Sequence, residues 1–555
     1  MAEREIRMTL VDRFFNTAGP IQTDIHYYLP PLERFNLDEV LGLIHARKYF
    51  ILHAPRQVGK TTFMMTLMDY LNQQGRYQAL YVNIETAQTA REDVYRGIRA
   101  ILSAISQEEL LHLPTKFVQE NRASILEEYG EDSALQTLLT LWAAVSPKPI
   151  VLMLDEVDAL VGDTLISTLR QLRAGYARRP KGFPHSIILC GVRDVRDYRI
   201  HSSREKTVIT GGSAFNIKAK SLRMGDFTKN EVATLYQQHT DTTGQIFHEN
   251  AINLAWHLTQ GQPWLVNAMA YELTYEMREN RDRSIAITED MVHIAKERLI
   301  LRRDTHLDQL TDKLKEPRVK DVIEPMLAGD GEPESVENDN IIYVRDLGLI
   351  RKVGKQFQIA NPIYNEIIPR ELNYGTQETI VEETAWYVDE DGRLDMPKLL
   401  TEFQAFFRRH SESWVERFNY KEAGPQLLMQ AFLQRIVNGG GRIEREYGRG
   451  RRRTDLYVEW PIQPQDQPQK ESHEWAYHTL TDMQKIVIEL KIRYGDLEET
   501  ITEGLEQTWW YMDRSDAEEG YLLIFDRSVQ KRSWDDKIFI ENRTYNTKPI
   551  LVFGM

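Results

Sequence analysis

Two clusters of residues in this sequence are of types that handle phosphate. The first is Ala54-Pro55-Arg56-Gln57-Val58-Gly59-Lys60-Thr61-Thr62, which follows the apolar run Tyr49 to His53 and leads at once into a helical pattern of Phe63, Met64, Leu67, Met68 and Leu71. Backbone amides in such a turn, with the positive end of the helix behind it, attract anions. Pro55 to Thr62 would surround the phosphates of ATP, Lys60 would reach the β- and γ-phosphates, and the Thr61 hydroxyl would help to hold Mg²⁺. A glycine usually opens this turn; Ala54 stands there, and alanine serves if its φ stays negative. Downstream, Ile150 to Leu154 reads as a buried strand delivering Asp155 and Glu156 to its end, where an open α/β sheet holds its ligands. Asp155 would hold Mg²⁺, and Glu156 would orient and polarise the attacking water. An acidic pair after an apolar strand can be a solvated strand end, but a phosphate loop upstream favours the catalytic reading.

The second cluster lies near the other end. Asp455 opens a strand pattern through Trp460, and Lys485-Ile-Val-Ile-Glu-Leu-Lys491 ends on Glu489 and Lys491. Side chains alternate along a strand, so Glu489 and Lys491 face one side. A hairpin that brought Asp455 across would gather two carboxylates and an amine. The acids are 34 residues apart (489 − 455), and the polar stretch Pro461 to Gln484 accounts for that as a hairpin insertion. Asp455 and Glu489 are hard ligands that suit Mg²⁺ or Mn²⁺. Such a metal supplies a lowered water pKa and neutralises a scissile phosphate, while Lys491 would position the water or stabilise developing charge. Arg445, Arg449, Arg451, Arg452 and Arg453 form the strongest local basic patch. A charge run is usually a solvated loop, but beside a phosphodiester site it could contact strand phosphates.

The rest of the chain must position these groups. At 555 residues, about three or four domains are expected. The net charge of −14 does not announce a nucleic-acid binder, so any such contact must be local. A single cysteine, Cys190, excludes an intramolecular disulfide and fits a reducing compartment. The first residues are charged where a signal peptide would be apolar, and no apolar run approaches the roughly 20 residues of a membrane span. A cytoplasmic protein with no membrane association is expected. Tyr77 to Glu85 reads as a buried strand, residues 90 to 145 as a long helical stretch, and His185 to Val192 as a strand ending in Arg193, with Arg196 beyond. Tyr27 or Tyr28 could stack on an adenine or simply pack an N-terminal extension onto the sheet. Gly261-Gln-Pro263 opens a helix running to about Glu279. Val319 to Leu327 reads as a helix and Arg351 to Ile359 as a hairpin turning at Gly354, with Arg351, Lys352 and Lys355 as its bases. Residues 374 to 420 read as a linker with one amphipathic helix, Leu399 to Phe407.

Phe15 to Pro20, Ala54 to Thr62, Leu154 to Asp158, Gly191 to Tyr198 and Gly261 to Asn267 together resemble a bacterial AAA-like ATPase family related to the STAND signalling ATPases, over about residues 10 to 375. The resemblance implies a P-loop ATPase of the additional-strand (ASCE) division with a helical lid and a following winged helix. In that class the Gly-x-Pro turn closes over the nucleotide, which gives Pro263 a cofactor role. Arg193 would sense the γ-phosphate or stabilise transition-state charge, or else form a surface ion pair. The wing could touch DNA through its bases or pack on its own ATPase and report nucleotide state. Such ATPases often complete their sites from a neighbour, so a homo-oligomer is implied.

Asp455, Glu489 and Lys491, followed by Gln507 and Tyr511 one helical turn apart and the strand Leu522 to Asp526, resemble the RecB-like members of the PD-(D/E)xK nuclease superfamily. Glu422 matches that family's first-helix acid loosely. The expected fold class is therefore α/β throughout: a P-loop ATPase (1–285), a helical and winged-helix connector (286–375), a linker helix (376–420) and a restriction-endonuclease-like domain (421–555). The expected function is ATP-dependent or ATP-regulated, metal-dependent cleavage of nucleic acid, DNA ahead of RNA, in keeping with defence against phage or foreign DNA. The alternative is a signalling ATPase or scaffold whose nuclease-like domain binds nucleic acid or a partner without cutting. A DNA-processing motor ranks last.

Overall fold

In the runs Tyr49–His53, Ile150–Asp155 and Ser186–Gly191 every residue is buried, with no polar alternation. That is the pattern of strands covered on both faces. The computed structural model describes residues 13–194, 199–202, 207–302, 312–327, 338–354, 356–372, 387–389, 391–415, 429, 433, 442–447, 454–462, 483–493, 495–526 and 534–555. The chain divides into two compact units: Met1–Leu310 with Glu337–Lys352 and Ala360–Ile363, and Thr311–Val336 with Val353–Ile359 and Tyr364–Met555.

In the first unit, five of the described strands form one parallel sheet in the order Gln78–Asn83, Ile150–Asp155, Ser186–Gly191, Tyr49–His53, Lys218–Arg223. The strand carrying Asp155 therefore sits between Gln78–Asn83 and Ser186–Gly191, and one strand separates it from the strand that feeds the phosphate loop. Helix Lys60–Gln73 packs Phe63, Met64, Leu67 and Met68 against Ala79, Tyr81, Val151 and Met153 on one face. The other face is covered by Val94–His112, Ala134–Val145 and Gly162–Ala174. The long helical stretch is thus three helices, Val94–His112, Phe117–Tyr129 and Ala134–Val145; Pro114 and Gly130 stand in the two breaks. Helices Lys229–Thr243, Glu249–Thr259 and Pro263–Tyr271 follow, the first opened by a Thr228/Glu231 capping box. The helix expected to reach Glu279 stops at Tyr271 and gives way to a π-turn over Glu272–Glu276. Asn338–Asp346 is a helix of this unit; next along the chain come short strands Ile350–Val353 and Gln356–Ile359 and the helix Pro362–Leu372, of which Gln356–Ile359 and the helix from Tyr364 onward belong to the second unit. Gly354 between those strands has a φ of 63°.

In the second unit six of the described strands form one sheet, ordered Arg442–Tyr447, Thr454–Pro461, Met483–Arg493, Glu519–Asp526, Lys548–Gly554, Ile540–Tyr545. The first three form an antiparallel meander, and Glu519–Asp526 then runs parallel to Met483–Arg493. A parallel pair needs a crossover, supplied by helix Leu497–Ser515, whose N-terminus is capped by Asp496. That helix packs Ile501, Leu505, Tyr511 and Met512 on Tyr457, Val487, Leu522 and Ile524. The opposite face (Leu456, Val458, Ile486, Ile488, Leu523) is covered by helix Met396–Val415 through Leu399, Leu400, Phe403 and Phe407, joined by Met429 and Leu433. The helix read from sequence as part of a linker is 20 residues long and builds this core. Its apolar stripe is what a buried amphipathic helix also shows, so periodicity could not separate a linker helix from a core helix.

Candidate active site

Strand Tyr49–His53 enters the phosphate loop at Ala54, whose amide donates to the carbonyl of Gly191 at 3.2 Å. Ala54 is not among the residues with positive φ, as the alanine variant requires; Gln57 (φ 58°) and Gly59 (φ 102°) take the left-handed turns instead. From Gly59 the chain enters helix Lys60–Gln73, so its first amides open onto the loop. The Lys60 ammonium folds back into that loop, donating to the carbonyls of Ala54 at 3.0 Å and Pro55 at 2.9 Å. Val58 and Thr62 are buried, Thr61 and Pro55 half-buried, and Arg56 exposed at the rim.

Asp155 is fully buried at the end of its strand. Its Oδ2 accepts from Thr61 Oγ1 at 2.8 Å and from the Tyr81 hydroxyl at 3.0 Å, while Oδ1 accepts from the Glu156 amide at 2.9 Å. The two side chains expected to share a metal are thus already together, and a hydroxyl and a carboxylate are the hard oxygen donors that Mg²⁺ takes. Thr61 and Asp155 would hold Mg²⁺, which when bound supplies positive charge against the phosphates. Glu156 stands in the left-handed region (φ 59°, ψ 41°), turned away from the strand's alternation. Burial first, and the neighbouring Asp155 second, raise its carboxyl pKa above the ordinary value, with Lys60 opposing. A carboxylate tuned upward is a better proton acceptor. Burial, and then Asp155, also push the Tyr81 phenol upward, so it meets the carboxylate as a donor.

Around this centre the structure adds groups that the sequence did not single out. Arg34 donates to the carbonyl of Val58 at 3.3 Å and to that of Gly225 at 2.6 Å, and lies 4.4 Å over the ring of Phe227. Phe227 in turn donates its amide to the carbonyl of Gly261 at 2.8 Å, so the Gly261–Pro263 turn is connected to the phosphate loop through Phe227 and Arg34. Pro263 occupies the first turn of its helix and is buried. A cavity of about 760 Å³ opens beside Thr62 and Thr66, lined by Tyr28, Pro31, Leu32 and Phe35 among others. Tyr28 lines it, while Tyr27 packs against Phe15 at 4.9 Å and His239 at 5.6 Å in the core. Gln238 holds the Tyr28 backbone from both sides, accepting from its amide at 3.1 Å and donating to its carbonyl at 2.9 Å. Arg193 lies with its guanidinium 4.8 Å over the ring of Tyr343. Arg196 falls outside the described residues. No sequence signal marks Tyr81, Arg34 or Gln238, because each acts across long separations in sequence.

The second cluster is partly described. Leu456 pairs with Ile488 in the antiparallel ladder, so Asp455, one residue earlier, and Glu489, one residue later, stand at the same level of adjacent strands. Glu489 is 2% exposed and bonds Lys491 Nζ through Oε1 at 2.8 Å. Both share the parity of Val487 and so the face on which helix Leu497–Ser515 packs. Gly504 lets that helix approach closely, since a Cβ there would lie 2.5 Å from Leu522 Cδ1. Gln507 and Tyr511 follow on the same helix, Tyr511 buried and Gln507 half-buried. Of the basic run, Arg445 lies on strand Arg442–Tyr447. Arg449, Arg451, Arg452, Arg453, Lys355 between the two short strands, and Glu422 lie outside the described residues. Among the described residues no group of three or more His, Cys, Asp or Glu is placed to hold a metal. Among them, too, no helix is long and apolar enough to cross a membrane.

No curated protein matches the chain. Among solved structures, a Walker-type ATPase of Pyrococcus abyssi is 16% identical, with 64% of this chain and 99% of that one covered at a TM-score of 0.42. Aeropyrum pernix ORC1, solved in complex with DNA, is 15% identical over 64% of this chain and 95% of its own, at 0.34. The Thermotoga maritima RuvB Holliday junction branch migration motor is 14% identical over 58% and 91%, at 0.30. The model of the AAA-like domain matches residues 19–369, more than half of the sequence, and this chain belongs to that family of P-loop ATPases.

Proposed function

We propose that the chain is an ATP-regulated, metal-dependent nuclease in which Lys60, Thr61, Asp155 and Glu156 turn over ATP while Asp455, Glu489 and Lys491 cleave a nucleic-acid backbone, DNA ahead of RNA. The ATPase half rests on family membership and on the junction of Thr61 with Asp155. For the nuclease half, the observation that carries the reading is the Leu456 to Ile488 register, which puts Asp455 and Glu489 at one level of neighbouring strands, with Glu489 bonded to Lys491. An antiparallel meander, a crossover helix and a parallel fourth strand also agree with the restriction-endonuclease-like reading. Asp455 and Glu489 would hold Mg²⁺ or Mn²⁺, and Lys491 would orient water toward the phosphate.

A second reading is a signalling ATPase or scaffold that binds nucleic acid or a partner without cutting; the family match spans residues 19–369 and so supports the ATPase half alone. Incubating the protein with single- and double-stranded DNA and RNA, with and without ATP, in Mg²⁺ or Mn²⁺, separates the two. Cleavage raised in Lys60→Ala would mean that the ATPase restrains the nuclease, and cleavage abolished would mean that it licenses it. Cleavage unchanged by Lys60→Ala would end the coupling, and no cleavage in any arm would favour the scaffold.

A further inference from the structure

Tyr81 sits on the strand next to that of Asp155, paired with Met153 as Asn83 is paired with Asp155. Its ring packs in the apolar layer under helix Lys60–Gln73 and is 7% exposed. For packing alone a phenylalanine would serve, and a buried hydroxyl is costly unless it is bonded. Here the hydroxyl donates to Asp155 Oδ2 at 3.0 Å, the same oxygen that accepts from Thr61 at 2.8 Å. Thr61 must turn an oxygen lone pair toward a metal when it serves as a ligand. The Glu156 amide on Oδ1 and the Tyr81 hydroxyl on Oδ2 then remain on the Asp155 carboxylate, with the buried Cys190 thiol also beside it.

We propose that Tyr81 is a positioning residue of the metal site: its hydroxyl holds the plane of the Asp155 carboxylate, so that Mg²⁺ arriving with a nucleotide meets a preformed pair of ligands. This rests on the ATPase reading of the same site. Hydrogen-bond partners outside the ligand shell characteristically change metal affinity by about 10- to 100-fold when removed.

The test is the binding of a fluorescent ADP analogue to wild-type protein and to Tyr81→Phe, first in EDTA and then across a Mg²⁺ titration. The proposal expects the affinity in EDTA to be preserved within about twofold and the Mg²⁺ midpoint to rise about tenfold or more. A midpoint unchanged in the variant overturns the proposal alone. Wild-type protein that gains nothing from Mg²⁺ overturns the nucleotide-site reading and the proposal with it. Should Tyr81→Phe fail to fold, 3-fluorotyrosine placed at position 81 keeps the hydroxyl. Its fluorine resonance is expected to move when Mg²⁺ is added to the ADP-bound protein and to stay still in an Asp155→Asn background. A resonance indifferent to Mg²⁺ in the wild-type background overturns the proposal.

Discussion

Glu156→Gln exchanges one carboxylate oxygen for an amide on the same stem, so the cost of the left-handed backbone at φ 59° is common to both proteins and cancels. What remains is the loss of a proton acceptor beside the phosphate loop. A positioned general base contributes about 10²- to 10⁴-fold, so ATP hydrolysis should fall by about that factor. Lys60, Thr61 and the loop amides are untouched, so nucleotide affinity should change by less than about threefold. Stability should move the other way. Burial and Asp155 raise the Glu156 pKa in the folded chain. A raised carboxyl contributes stability that is fully present below its unfolded value of 4.5 and is lost as pH rises through the folded value. Above that folded value the ionised side chain is therefore a liability that glutamine lacks. Phosphate release, fluorescent-nucleotide titration and thermal melts at about pH 7.5 and 4.5 read all three effects. The variant should be nearly inactive, bind normally and melt higher at neutral pH, with the difference closing in acid. Hydrolysis within about tenfold of wild type, or a lower neutral-pH melting temperature, would refute the role given to Glu156.

The remaining predictions concern the same unit. Burial, partly offset by Asp194, lowers the His53 pKa from 6.5 to about 4. That stabilisation is present above 6.5 and lost as pH falls through about 4, and is worth about 3 kcal/mol. Urea unfolding should show His53→Gln lacking this part of the acid dependence; identical pH profiles would contradict it. Gly348 has a φ of 83°, and a Cβ there would lie 2.8 Å from Pro55 Cβ in the phosphate loop. Gly348→Ala should cost about 1–2 kcal/mol from the backbone alone. It should also weaken ADP binding by displacing Pro55, and an unchanged affinity would show that the loop tolerates the shift.

The phosphate loop and the Asp155–Glu156 strand end were legible because both are local patterns: an apolar run, a turn of fixed chemistry and a helix that starts on time. Position in the sheet was legible as far as the order of buried runs. The partners of these groups were not. Tyr81 is one aromatic in an apolar strand, and nothing in Gln78–Asn83 says that its hydroxyl spans to the neighbouring strand. Arg34 and Gln238 look like ordinary surface residues of helical stretches, yet one fastens Val58 and the other Tyr28 across 210 positions. In the C-terminal unit, alternation identified the face shared by Glu489 and Lys491, and the ladder adds the level of Asp455. The Leu399–Phe407 helix reads from sequence only as part of a linker, because amphipathicity records that a face is covered and leaves open by what.

Cleavage by Glu489→Ala tests the two-centre account most directly. Its ATPase should match wild type, since the phosphate-loop unit is intact, and its Mg²⁺- or Mn²⁺-dependent cutting of nucleic acid should vanish. A wild-type protein that cuts and a variant that cuts equally well would contradict the assignment of the second centre.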